Sequence, residues 1–178
     1  AHDDLYKVDG NVQKQLSLNG ALAAAIPGLP AALVTLAERY GRLPLRDSLA
    51  PSIRLARSGV SIDRVYRERA GWRLSAMRED PETARIFLTE GEIPEEFALL
   101  RQPELARTLE HLASEGHQGF YAGPVAAQLV KGVRAAGGIW SLKDLAEYRL
   151  IERQPLLVDL NDGRKLISAP PPSAGGVA

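Results

Sequence analysis

The 178-residue chain carries 22 basic and 22 acidic residues, so no net field recruits nucleic acid or an anionic membrane surface. It has no cysteine, which excludes disulfides, thiolate metal sites and a cysteine nucleophile together. Its 45% hydrophobic and 25% charged content is that of a globular chain with one sizeable core, and no apolar run approaches the ~20 residues that span a bilayer.

The start, Ala1-His2-Asp3-Asp4, has no charged-then-apolar signal pattern. Asp9-Gly10-Asn11 reads as a turn between short polar segments. Gly20 to Ile26 is small and apolar, bounded by Asn19-Gly20 and Pro27-Gly28, and is expected to be a short buried strand. Pro30 opens a helix over 31–40 that Gly41 stops, the usual proline-first, glycine-last asymmetry. A second helix begins near Asp47 or Pro51 and runs through Ile53, Leu55 and Ala56 to Gly59. Pro51 is expected in or near its first turn, because deeper placement costs about 3 kcal/mol.

From Asp63 to Asp80, Val65, Tyr66, Ala70, Leu74 and Met77 recur at helical spacing, with Gly71 weakening the middle and marking a bend. Pro81 to Phe87 adds a short helical piece. Pro103 begins a helix through Leu109 and Leu112 to Gly116, and Pro124 begins another that Gly137-Gly138 stops. Ser141 with Asp144 three residues on is close to a capping box and starts a short helix to Tyr148. The period then changes to two. Leu156, Val158 and Leu160 alternate, Asn161-Asp162-Gly163 turns, and Lys165 to Ser168 resumes, so a hairpin closes this stretch. Pro170-Pro171-Pro172 prescribes an extended run, and Ser173-Ala174-Gly175-Gly176 a change of direction two residues before the last. The chain therefore reads as an α+β polypeptide, mostly helical with strands at both ends, and as one partial domain over 1–178 cut in mid-fold.

No catalytic constellation emerges from the residues. His111 and His117 are six apart, neither a same-face helical pair nor a zinc spacing, and His2 is terminal. None of the ten serines sits in a nucleophile-elbow context; Ser141 serves as a cap, and Ser173 is the one hydroxyl in an unusual backbone setting. The carboxylate pairs Asp3-Asp4, Glu79-Asp80 and Glu95-Glu96 are adjacent, so their side chains diverge and form no acid/base dyad by themselves. Arg64, Arg67, Arg69 and Arg73 interleave with Glu68 and apolar residues as an ion-paired surface face. Neither phosphate-loop nor dinucleotide glycine spacing occurs.

The order of segments is more specific than any single residue. It runs Asn19 to Gly28; Arg39-Tyr40-Gly41-Arg42-Leu43-Pro44; Leu49 to Val60; Gln102 to Leu109; Gly119-Phe120-Tyr121-Ala122-Gly123; Gly137-Gly138; Asp144 to Tyr148; Arg153-Gln154-Pro155; and Pro170 to Gly176. Across nearly the whole chain this resembles the large subunit of γ-glutamyltranspeptidases, with Ala174 where that family usually has a second serine.

The resemblance implies an N-terminal-nucleophile hydrolase with an αββα sandwich, made as a precursor that cleaves itself before a threonine. That threonine would attack γ-glutamyl amides such as glutathione, with no cofactor or metal. It would lie downstream of Ala178, in the small-subunit portion of the same precursor, and the arginine gripping the substrate carboxylate upstream of Ala1. No catalytic or substrate-binding residue is thereby expected within this chain. The resemblance also implies a periplasmic or extracellular location. Two rivals stand beside it: a cephalosporin-acylase-like or poly-γ-glutamate-processing relative, and a self-sufficient helical binding domain without catalysis.

Overall fold

The computed structural model describes residues 4–160 and 162–173, in two compact units, 1–148 and 149–178. The first unit opens with a two-residue-per-strand hairpin, β1 (Lys7–Val8) against β2 (Asn11–Val12), turned at Asp9 and Gly10, both at positive φ. Then come nine helices among the described residues: α1 (Leu29–Arg39), α2 (Leu45–Ser58), α3 (Arg64–Gly71), α4 (Leu74–Glu79), α5 (Pro81–Phe87), α6 (Pro103–Glu115), α7 (Gln118–Tyr121), α8 (Gly123–Ala135) and α9 (Leu142–Ala146). Between them, β3 (Val60–Ser61) pairs antiparallel with β4 (Leu99–Leu100).

One core runs through this unit. Ala31 and Val34 of α1, Leu49 of α2, Leu112 of α6, Phe120 and Tyr121 of α7, Val125 and Ala126 of α8 and Leu145 of α9 meet in it. The second unit is the hairpin of β5 (Leu156–Asp159) and β6 (Lys165–Ser168), antiparallel from Leu156↔Ser168 to Asp159↔Lys165. Its turn is closed by the Gly163 N–H on the Leu160 carbonyl at 3.1 Å. Asn161 lies outside the described residues.

Four expectations change. Gly20 to Ile26 is no strand: Ala21–Ala23 form a 3-10 turn and the residues that follow, up to α1, make no ladder among the described residues. The strands at the N-terminal end are β1 and β2 instead. Pro51 is not in the first turn of α2 but at its seventh position, because the helix starts at Leu45 behind Pro44. A proline there leaves the Asp47 carbonyl without its donor, at about 3 kcal/mol. The face Leu45, Leu49, Ile53 and Ala56 nevertheless seats on the core. A fully buried leucine contributes roughly 1.5–3 kcal/mol; buried Leu49, with Leu45 and Ile53 half-buried beside it, offsets the missing bond.

The predicted bend at Gly71 is a full break: α3 ends there and α4 begins at Leu74, after Trp72 and Arg73. The proline run also turns earlier than an extended reading allows, the Ser173 N–H reaching the Pro170 carbonyl at 3.2 Å.

One turn is strained. The Ala98 N–H bonds to the Glu95 carbonyl at 3.1 Å and so places Phe97 third in a turn, at φ 70. Glycine or asparagine ordinarily occupies such a position, and for phenylalanine the left-handed region costs about 1–2 kcal/mol. Ile62 holds it in place: its carbonyl accepts from Phe97 N at 2.7 Å and its N–H donates to the Ala98 carbonyl at 2.8 Å. Ile62 itself is buried.

Two measurements follow from these elements. Pro51→Ala restores the Asp47 acceptor's partner and should raise the urea midpoint, by the equivalent of about 1–3 kcal/mol; an unchanged or lower midpoint would show that the proline ring itself packs to advantage. On the acid side, Asp80 caps α5 and Asp144 completes the box at α9, where Ser141 N donates to Oδ2 at 2.7 Å. Hydrogen bonds from Thr83 and from Ser141 hold these two carboxyls below the usual carboxylate range. Depressed folded values mean stability that is present above the unfolded pKa near ~3.9 and lost as pH falls through the folded values. Asp80→Asn keeps the capping acceptor, so it should flatten the acid limb of a thermal-midpoint profile while leaving the neutral plateau in place.

Candidate functional site

The residues singled out for their chemistry do not converge. His111 on α6 contacts Glu115 Oε1 through Nδ1 at 2.8 Å, one helical turn on. His117 stacks on Tyr121 with ring centroids 4.3 Å apart. His2 and Asp3 lie outside the described residues, as do Ala174 to Gly176, and Asp4 pairs with Lys7 at 2.8 Å. Glu79 accepts from the Ser75 hydroxyl at 3.4 Å, Asp80 is a cap, and Glu95 pairs with Arg67 at 3.3 Å. Ser173 takes part in the Pro170 turn through its backbone. Among the described residues no group of three histidines or carboxylates could hold a metal ion.

Two open depressions are present. One of about 690 Å3 is lined by Pro51, Arg54, Leu55, Arg57 and Ser58 of α2, and one of about 370 Å3 by Arg46, Ile53, Glu110, Ala113 and Ser114. Neither brings a nucleophile, a base and an oxyanion donor together.

The most organised polar arrangement is instead an aromatic clamp on the segment between Ala21 and Gly28. Outside a ladder, the carbonyls of this segment must find other partners, side chain or water. Three aromatic side chains supply them. Tyr6 Oη donates to the Leu22 carbonyl at 3.4 Å, Trp140 Nε1 to that of Ala24 at 3.0 Å, and Tyr121 Oη to that of Pro27 at 2.6 Å.

Tyr121 Oη also accepts from Ala31 N at 3.1 Å, satisfying one of the free N–H groups in the first turn of α1. Trp140 is held in turn by Arg134, whose Nε donates to the Trp140 carbonyl at 2.6 Å. Tyr121 is 1% exposed and sits in a ring cluster, parallel to Tyr148 at 5.4 Å and edge-on to Phe120 at 5.0 Å. Close approach is needed in two places. A Cβ on Gly28 would lie 2.3 Å from Tyr148 Oη, and one on Gly138 would lie 2.9 Å from the Ala21 carbonyl oxygen.

Chemically the clamp orders backbone and moves no proton. Burial pushes the Tyr121 hydroxyl above the usual phenol range, so it stays neutral through ordinary pH. Sequence reasoning missed it because its bonds join residues 94, 90 and 116 positions apart, and no periodic signal marks any of these aromatics. The quoted blocks Gly119 to Gly123 and Asp144 to Tyr148 did contain Tyr121 and Tyr148.

Tyr121→Phe keeps the ring and removes both hydrogen bonds, leaving the Pro27 carbonyl and Ala31 N–H unpaired. A loss of about 1–3 kcal/mol in denaturant unfolding is expected. The pH sign is fixed by the raised value: the tyrosine's contribution is complete below the unfolded pKa near ~10 and declines as pH rises through the folded one. The alkaline fall in thermal midpoint should therefore be shallower in the variant, and identical slopes would remove Tyr121 from the account.

Comparison with known proteins places these features in a family. The family model for gamma-glutamyltranspeptidase matches residues 1–178. Glutathione hydrolase 2 of Arabidopsis thaliana is 33% identical over 178 residues, all of this chain and 30% of the relative. The glutathione hydrolase proenzyme of Escherichia coli K12 is 33% identical over 169 residues, 94% of this chain and 29% of its own length. The chain thus spans about a third of the curated relatives it matches. Among solved structures, Helicobacter pylori gamma-glutamyltranspeptidase superposes with a TM-score of 0.94 at 32% identity, over 99% of this chain and 51% of that one. A family model matched from end to end, and a backbone shared over nearly every residue, make this α+β chain a member of the γ-glutamyltranspeptidase family.

Proposed function

We propose that this chain is scaffold from the large subunit of a γ-glutamyltranspeptidase-like precursor, and that the precursor transfers or hydrolyses the γ-glutamyl group of glutathione and related amides. The observation that carries the reading is the backbone match to a solved gamma-glutamyltranspeptidase over 99% of this chain and 51% of that one.

The reaction belongs to residues beyond this chain. A threonine freed at an N-terminus by self-cleavage attacks the γ-carbonyl through its hydroxyl, and its own amine takes the proton. Collapse of the tetrahedral intermediate expels the donor's amine and leaves an acyl-enzyme. Water or an amino-acid amine then takes the acyl group, while backbone N–H groups hold the oxyanion. The helices α1 to α9 would belong to a helical layer of the αββα sandwich that the family implies, completed by the small-subunit portion of the same precursor. A periplasmic or extracellular site fits the family; in the described residues no helix is long and apolar enough to cross a membrane.

The assay is γ-glutamyl-p-nitroanilide turnover by the 178-residue chain and, in parallel, by the precursor encoded by its gene. No release of p-nitroaniline is expected from the chain and time-dependent release from the processed precursor. Turnover by the chain alone would move the nucleophile into residues 1–178. A processed precursor that cleaves only acyl amides lacking the α-amino and α-carboxylate groups would favour the acylase-like rival.

A further inference from the structure

The scaffold role leaves two surface features unused, and they complement each other. The first is the Glu95–Ala98 turn. Phe97 stands there at φ 70 with 77% of its surface exposed, so the fold bears a strained backbone for a ring that it leaves mostly in solvent. Glu96 beside it is exposed and forms no ion pair among the described residues, whereas Glu95 is held by Arg67.

The second feature is the α2 depression of about 690 Å3. Its apolar lining is Pro51 and Leu55, the latter 52% exposed on a helix whose other face is in the core. Its polar lining is cationic: Arg54, with no ion pair among the described residues, and Arg57, which pairs with Glu110 at 2.5 Å.

We infer that the Phe97 turn of one copy docks in the α2 depression of a second copy of this chain, the phenyl ring on Pro51 and Leu55 and the Glu96 carboxylate on Arg54. Charge complementarity selects this occupant. An aromatic flanked by a free carboxylate meets an apolar hollow flanked by a free guanidinium, and both halves lie on the one polypeptide. The turn and the depression lie on one polypeptide, so two copies can make the contact once, head to tail, or twice, about a two-fold axis. A single aromatic anchor with one rim ion pair makes a weak, salt-sensitive contact.

Sedimentation of the 178-residue chain from about 0.01 to 1 mM tests this, over the range where a single-anchor contact associates. The weight-average mass should rise with concentration and fall back in high salt. Phe97→Gly should weaken association by about tenfold or more while raising the thermal midpoint, since glycine relieves the turn. A phenylalanine needed only for folding would do the reverse on the second reading. Arg54→Glu should weaken association as well, and adding Glu96→Arg to that variant should restore it. A concentration-independent monomer would overturn the proposal. So would association that neither Phe97→Gly nor Arg54→Glu changes, which would assign it to another surface or leave the turn to a different acidic-motif receptor.

Discussion

The Ala21–Gly28 segment has to satisfy its backbone without a sheet, and the arrangement of the first unit answers to that requirement. Its carbonyls at Leu22, Ala24 and Pro27 are claimed by three aromatic donors from three distant parts of the chain. Tyr121 is the one that also closes a helix terminus, through Ala31 N. Because it accepts from α1 and donates to the segment before it, its oxygen fixes where α1 begins relative to α7. The neighbouring rings of His117, Phe120 and Tyr148 then fix Tyr121. A hydroxyl with both bonds made, on a side chain 1% exposed within a ring cluster, is worth more than the same bonds at the surface, where water would replace either partner.

What was legible in the sequence were the local signals. Pro30, Pro81, Pro103 and Pro124 each sit in the first two positions of a helix, and Gly116 and Gly137 each follow one at positive φ. The Ser141–Asp144 box and the Asp162-Gly163 turn formed as their spacing implied. These are interactions between residues two to four apart, which a linear reading can weigh. The 20–28 segment failed that reading because a short apolar run between breakers has the same composition whether its carbonyls meet a strand or a set of tyrosines and tryptophans. The α7 turn carried no periodicity at all; burial of Phe120 and Tyr121 holds it.

The chain also shows where local cost yields to non-local gain. Pro51 and Phe97 both violate the preference of their backbone positions, each at a cost of the same order as one buried side chain. At Pro51 the account closes inside the fold, since the opposite face of α2 packs against α1 and α6. At Phe97 no such return exists, because the ring faces outward and the bonds to Ile62 would form with glycine equally well. A strained position with internal compensation is architecture. One without it points outside the unit.

The same reasoning applies to the second unit, with a different answer. Residues directly opposite in an antiparallel pair share a face, so Leu157 with Ile167 forms one apolar surface and Val158 with Leu166 the other. A hairpin wet on one side alternates polar and apolar; this one is apolar on both, and Leu157 and Ile167 are 64% and 67% exposed. Two strands alone are marginal in water. Such a pattern is that of strands covered on both faces, which is what the interior of a layered sandwich requires. It is therefore the hairpin, the part of the chain with the least packing of its own, whose residue pattern most directly supports the proposed place of this polypeptide in a larger enzyme.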